Sequence, residues 1–196
     1  MDMRELLDRY EATGDEDAYA AARPLYENAV AASGDASLLR EYGYLLECHA
    51  QNSLRRAVLQ YERAIQADPN QDKALYQWIR AKAALADTEE SIALHRQRLA
   101  AAPDEIREYR FLAYAYLVAH DYPRAAEAIE AGLRRAPRDP MLLEFRGDVR
   151  AGRDDMEGAL ADWRHAAELD PENIGPLYSA VFLLVRQARI QEAIAT

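Results

Sequence analysis

The chain has 196 residues, half of them apolar, which is enough to build a core and excludes a disordered chain. Its net charge is −10 at pH 7, with ten acids and four arginines in residues 1–41, a field that repels nucleic-acid phosphates and anionic lipid headgroups at long range. No run approaches membrane-spanning length, the start lacks a secretory pattern and the single cysteine, Cys48, permits no internal disulfide, so composition points to a cytoplasmic protein without nucleic-acid or membrane partners.

Abundant Ala, only 8 Gly and 8 Pro, and the lack of alternating β-branched stretches predict helices throughout. In residues 3–35, Leu6 and Tyr10 mark a first helix, Gly14-Asp15-Glu16 a turn, and Ala22, Tyr26 and Ala29 a second helix that closes at Gly34. Residues 36–71 repeat the plan with Leu39, Tyr42, Gly43 and Leu46, a turn near Ala50-Gln51-Asn52, then Leu54, Ala57, Val58, Tyr61, Ala64 and Ile65 before Pro69. Residues 72–105 follow it least well, with Ser91, His95 and Arg98 where small or apolar residues are expected before Pro103. In residues 106–139, Tyr109, Leu112, Ala113 and Tyr116 precede the turn His120-Asp121, and Tyr122, Ala125, Ala126, Ile129, Gly132 and Leu133 lead to Pro137. Residues 140–173 carry Leu143 and Gly147, a turn at Gly152-Arg153-Asp154, and Met156, Ala159, Leu160, Trp163, Ala166 and Ala167 before Pro171, with Arg146 and Arg150 at positions that are usually apolar. Residues 174–196 begin a further unit through Leu177, Val181, Leu184 and Ala193 and stop at Thr196 within its second helix.

Pro69, Pro103, Pro137 and Pro171 are spaced by 34 residues, and the stripes before them keep one helical face apolar until proline, lacking an N–H, ends the helix. Each unit is a helix–turn–helix hairpin that cannot bury its apolar face alone, so the units must stack.

These residues resemble the tetratricopeptide repeat, whose pattern is W-x2-L-G-x2-Y, then A-x3-F, then P. Tyr109-x2-Leu112-Ala113-x2-Tyr116 with Ala125-x3-Ile129 and Pro137 matches well, and Leu39-x2-Tyr42-Gly43-x2-Leu46 with Ala57-x3-Tyr61 and Pro69 matches with two extra turn residues. The resemblance implies one all-α, right-handed superhelical solenoid over residues 1–196, with five complete hairpins and a partial sixth. It also implies a non-catalytic scaffold, an adaptor, chaperone-like or regulatory module that holds a peptide or protein segment in a concave groove lined by the first helices. The repeat region of a larger enzyme or of a secretion or transport protein is the alternative.

Motifs for other chemistry are lacking. The histidines, His49, His95, His120 and His165, are scattered, without an H-E-x-x-H or Cys/His cluster, and adjacent Cys48 and His49 diverge by about 100° on a helix. Phosphate-binding loops and hydrolase elbows do not occur, and Asp154-Asp155-Met156-Glu157 lacks the ligand spacing of a calcium loop and reads as a solvated turn. No catalytic residue, metal site or cofactor is therefore expected.

The groove implied by the resemblance carries Lys73, Tyr76 and Arg80, then Arg107, Arg110 and Tyr114, then Met141, Glu144 and Asp148, then Tyr178 and Phe182. Residues 34 apart should neighbour one another, giving one ladder of Tyr76, Arg110, Glu144 and Tyr178 and another of Arg80, Tyr114, Asp148 and Phe182. Arg and Tyr favour hot spots, and their clustering points to an acidic or aromatic ligand centred on Tyr76, Arg80, Arg110 and Tyr114. The competing expectation is that the arginines pair with Glu144 and Asp148 across helices. No unit carries the groove asparagine of the carboxylate clamp that reads heat-shock chaperone tails. Val181, Phe182, Leu183, Leu184 and Val185 form an apolar end face that predicts self-association through the last helices or further chain beyond them.

Overall fold

In the computed structural model, which describes residues 2–33 and 35–195, eleven helices and no strand occur among the described residues. They are α1 (Met3–Thr13), α2 (Glu16–Ser33), α3 (Ala36–Ala67), α4 (Asp72–Ala84), α5 (Glu89–Ala101), α6 (Ile106–Val118), α7 (Tyr122–Leu133), α8 (Pro140–Gly152), α9 (Met156–Leu169), α10 (Gly175–Arg186) and α11 (Ile190–Ala195). No helix among the described residues is long and apolar enough to cross a membrane. The chain divides into two compact units, Met1–Pro69 and Asn70–Thr196.

In the first unit, Asp2 and Glu5 form a reciprocal capping box that starts α1, each side chain accepting from the other's backbone N–H at 2.8 Å. Gly14 ends it in the left-handed region at φ 65°, which glycine adopts without a Cβ penalty. Asp15 then accepts from the N–H of Asp17 at 2.9 Å, and α2 returns against α1. Leu6, Leu7, Tyr10, Ala18, Ala22, Tyr26 and Leu45 form one core cluster. The expected closure of this hairpin at Gly34 lies outside the described residues.

The second expected hairpin does not form. Residues 36–67 are a single 32-residue helix, α3, that runs through the predicted turn at Ala50-Gln51-Asn52. Two causes are visible. The predicted turn contains neither Gly nor Pro, and Asn52 Oδ1 accepts from Arg55 Nη1 at 3.0 Å within the helix. Side chains on both sides of it are tied to the α1–α2 hairpin: His49 Nδ1 meets Tyr10 Oη at 2.9 Å, and Arg56 Nη2 meets Glu16 at 2.5 Å.

In the second unit the helices pair as α6/α7, α8/α9 and α10/α11, and α4 is tied to α5 by the Lys82–Glu90 ion pair at 2.6 Å. Residues with positive φ recur at Ala86, His120, Asp154 and Ala188, again 34 apart, with φ between 57° and 64°. After each, the next residue donates its N–H to a carbonyl five residues back: Asp87 to Lys82, Asp121 to Tyr116, Asp155 to Arg150 and Arg189 to Leu184, all at 2.9 Å. One backbone turn is therefore repeated four times with Ala, His, Asp and Ala at its left-handed position, so the closed turn rather than residue preference sets the conformation. The signature side chains Tyr109, Leu112, Ala113, Tyr116, Ala125 and Ile129 are buried, as are Leu143, Gly147, Ala159, Trp163 and Ala166.

Where the repeat pattern lapses, paired charges fill the space. His95 is fully buried, its Nδ1 2.6 Å from buried Glu108 across the α5–α6 contact, and Arg98 reaches the same carboxylate at 3.4 Å. Burial alone would raise the Glu108 carboxyl, but His95 and Arg98 hold it below its ordinary value. Arg146 and Arg150 converge on buried Asp162 of α9, through Arg146 Nε at 2.9 Å, Arg146 Nη2 at 2.7 Å and Arg150 Nη1 at 2.8 Å. Of the apolar run on α10, Leu183 and Leu184 are buried and Val181 half-buried, leaving Phe182 and Val185 exposed.

Candidate functional site

The first helices of the second unit, α4, α6 and α8, pack side by side and bring part of the predicted set together. The centre is aromatic. Phe111 and Phe145 are buried, and over them lie the half-buried rings of Tyr76 and Tyr114. Tyr76 sits 4.7 Å from Phe111 and 5.1 Å from Tyr114, edge to face in the second case, and Tyr114 sits 5.7 Å from Phe145. Such pairs hold each other beyond their buried area by about 1 kcal/mol. The Tyr76 hydroxyl donates to Met141 Sδ at 3.6 Å, linking α4 to α8.

The cations divide into two kinds. Arg107 Nε lies 2.6 Å from Asp72, with its guanidinium 5.1 Å over the Phe111 ring. Arg110 makes a forked pair with Asp139, Nε lying 3.1 and 3.0 Å from the two carboxylate oxygens and Nη2 adding a further bond. Asp139 is buried and also caps α8 by accepting from the Leu142 N–H at 3.0 Å. Burial works against the Arg110 charge, but the Asp139 bonds and field outweigh it and raise the group. Lys73 and Arg80 are exposed, and no ion pair forms at either among the described residues. Arg80 acts on Tyr114 by its field, partly offsetting the burial that raises the phenol.

The acids on α8 face other partners than predicted. Glu144 accepts from Asn173 Nδ2 at 2.9 Å, and burial, despite that bond, keeps its carboxyl raised. Asp148 accepts from Trp163 Nε1 at 3.0 Å, and burial pushes it up to about 6 against the opposing effect of that bond. The expected pairing of the groove arginines with Glu144 and Asp148 is thus replaced by Arg110 with Asp139, Arg107 with Asp72 and Asp148 with Trp163. The ladders of residues 34 apart are met in part, since Tyr76 and Arg110 act on each other and Tyr114 lies in the fields of both Arg80 and Asp148. Tyr178 and Phe182 form a separate patch. They stack at 6.4 Å, 71% and 54% exposed, beside a cavity of about 200 Å3 whose walls include Met156, Trp163 and Arg186. Asp139 went unrecognised in the sequence as a charge partner, although an Asp before Pro140 and an apolar run is a readable N-cap.

No cluster of three or more metal-ligating side chains occurs among the described residues. His49 stacks on Tyr19 at 3.8 Å rather than facing half-buried Cys48.

Solved structures with this arrangement include a thermophilic tetratricopeptide-repeat protein of Thermus thermophilus, 22% identical, with a TM-score of 0.58 over 76% of this chain and 82% of that one. The chain carries the tetratricopeptide-repeat fold. A tetratricopeptide-repeat protein from Parabacteroides merdae is 14% identical, with a TM-score of 0.52 over 98% of this chain and 76% of that one. MamA residues 41 to the end from Desulfovibrio magneticus is 21% identical, with a TM-score of 0.51 over 88% and 89%. No family model matches the chain, and no curated protein matches it. The tetratricopeptide-repeat likeness therefore rests on the helical stacking and on the 34-residue turns.

Proposed function

We propose that the α4–α6–α8 face is a non-catalytic binding surface for a segment of another protein, and that the chain is an interaction scaffold. The observation that carries this reading is the half-exposed Tyr76–Tyr114 platform, backed by two buried phenylalanines and flanked by the uncommitted cations Lys73 and Arg80. Rigid aromatic area beside a free guanidinium is the composition that concentrates binding energy in protein interfaces. Tyr76, already locked by Phe111 and Met141, loses little side-chain entropy when covered.

The charge layout narrows the ligand. Arg107 and Arg110 are neutralised by Asp72 and Asp139, so Lys73 and Arg80 supply the positive field, and Glu144 and Asp148 the negative one on α8. A segment with carboxylates over α4 and an apolar side chain on the tyrosines fits this order. Peptide libraries panned against the full chain should enrich acidic residues beside an apolar one, and an Arg80→Glu variant should lose that enrichment while keeping its helicity. Equal enrichment by both proteins contradicts the reading.

A further inference from the structure

Phe111 on α6 and Phe145 on α8 hold the same repeat position, 34 residues apart, and both are buried, the first against Tyr76 and the second against Tyr114. The next position in that series, on α10, is Ser179. Two further positions shrink at the same step along the chain. Leu117 and Tyr122, at the end of α6 and the start of α7, are matched one unit on by Ala151 and Met156. In the earlier unit the Tyr122 ring lies flush against α8, so that a Cβ on Gly152 would stand 2.5 Å from it. The residue matching Gly152 on α10 is Arg186.

The result is a space that the chain does not fill. The cavity of about 200 Å3 beside Tyr178 and Phe182 has Ala151, Met156, Trp163, Ser179 and Arg186 in its walls, the very positions at which side chains have become smaller or have moved to the rim. Helix α4 packs on α6 and α6 on α8, but α10 rests on α9 with little contact to α8. The preceding unit therefore gives the shape of what is missing, an aromatic ring.

Volume and charge narrow the guest further. The cavity is smaller than the about 300 Å3 at which pockets for whole small molecules begin, and it suits one large side chain. Trp163 donates its ring N–H to Asp148 at 3.0 Å, so its polar atom is already engaged. Arg186 lies over the Phe182 ring at 5.9 Å and forms no ion pair among the described residues, which leaves a guanidinium at the mouth of an apolar pocket. Tyr178 and Phe182 hold the repeat positions of Tyr76 and Tyr114, so the pocket opens on the side of the tyrosine platform. We propose that, on the reading of the α4–α6–α8 face given above, the same partner segment continues to α10 and places one aromatic side chain in this pocket, with a carboxylate beside it for Arg186. From α6 to α10 is two helix spacings of about 10 Å each, which about six residues of extended chain span.

The test pans random peptides long enough to reach from α4 to α10 against the full chain and against two plugged variants. Ser179→Phe restores the ring of the preceding units, and Ala151→Leu restores the Leu117 side chain. The unmodified chain should enrich an aromatic residue with an acidic neighbour about six residues, in either direction, from the acidic and apolar pair expected on α4 and α6. Both plugs, checked for unchanged helicity, should lose the aromatic preference about tenfold or more while keeping that pair. Arg186→Glu should keep the aromatic residue and turn its neighbour basic. An aromatic preference that never appears, or that survives both plugs, overturns the proposal, and an acidic neighbour retained with Arg186→Glu overturns its charge assignment. The acidic and apolar pair without the distal ring contradicts the pocket alone, whereas the ring without the pair supports the pocket and contradicts the platform.

Discussion

Arg80 and Arg110 look alike in the sequence and do different work in the fold. Arg110 compensates the buried carboxylate of Asp139, so Arg110→Ala strands a charge and should cost about 2 kcal/mol of folding stability in urea titrations. Arg80 compensates nothing inside the unit. Arg80→Ala should shift stability by less than about 0.5 kcal/mol yet weaken peptide binding about tenfold or more, with affinity falling as salt rises. Asp148 provides a second separation. Its folded pKa of about 6 lies above the ordinary value of 3.8, so the native state holds the proton more tightly than the unfolded chain. Stability should therefore decline as pH rises from about 4 to about 6. Asp148→Asn keeps an acceptor for Trp163 and removes the desolvated charge, and should stabilise the protein by about 2 kcal/mol at pH 7 with the gain vanishing near pH 4. A gain independent of pH would show that packing, not ionisation, is responsible.

The pairing of elements depends on how closely their backbones approach. Gly147 admits the Trp163 ring against α8, so Gly147→Ala must push the ring outward and should lower stability by about 2 kcal/mol in thermal melts, despite alanine's better helix propensity. The helical hairpins of the second unit were legible because the prolines and apolar stripes share one period and the same turn closes each pair. Reading α3 as two helices failed for a local reason. Its signature residues match the repeat, but at Ala50-Gln51-Asn52 no residue breaks the helix, and the ties from His49 to Tyr10 and from Arg56 to Glu16 are tertiary contacts that no periodicity reveals. The site was legible to the same depth. Position in the repeat named Tyr76 and Tyr114, whereas which arginines are free depended on Asp72 and Asp139, whose side chains arrive from other helices.

At the scale of the molecule, the second unit contains its own turns, core and candidate face. A fragment of residues 70–196 should fold and melt cooperatively, because α4 to α11 form one compact unit; a fragment without helical signal contradicts the division. Net charge acts at this scale too. The excess of acid in residues 1–41 disfavours carboxylate-rich ligands in general, so a bound acidic segment has to find Lys73 and Arg80 specifically. The most direct measurement is amide hydrogen exchange on the full chain, with and without a peptide recovered by panning. Protection should rise on α4, α6 and α8 around Lys73, Tyr76, Arg80 and Tyr114 and stay unchanged on α5, α7 and α9. Protection centred on the second helices, or around Tyr178 and Phe182 alone, would contradict the account.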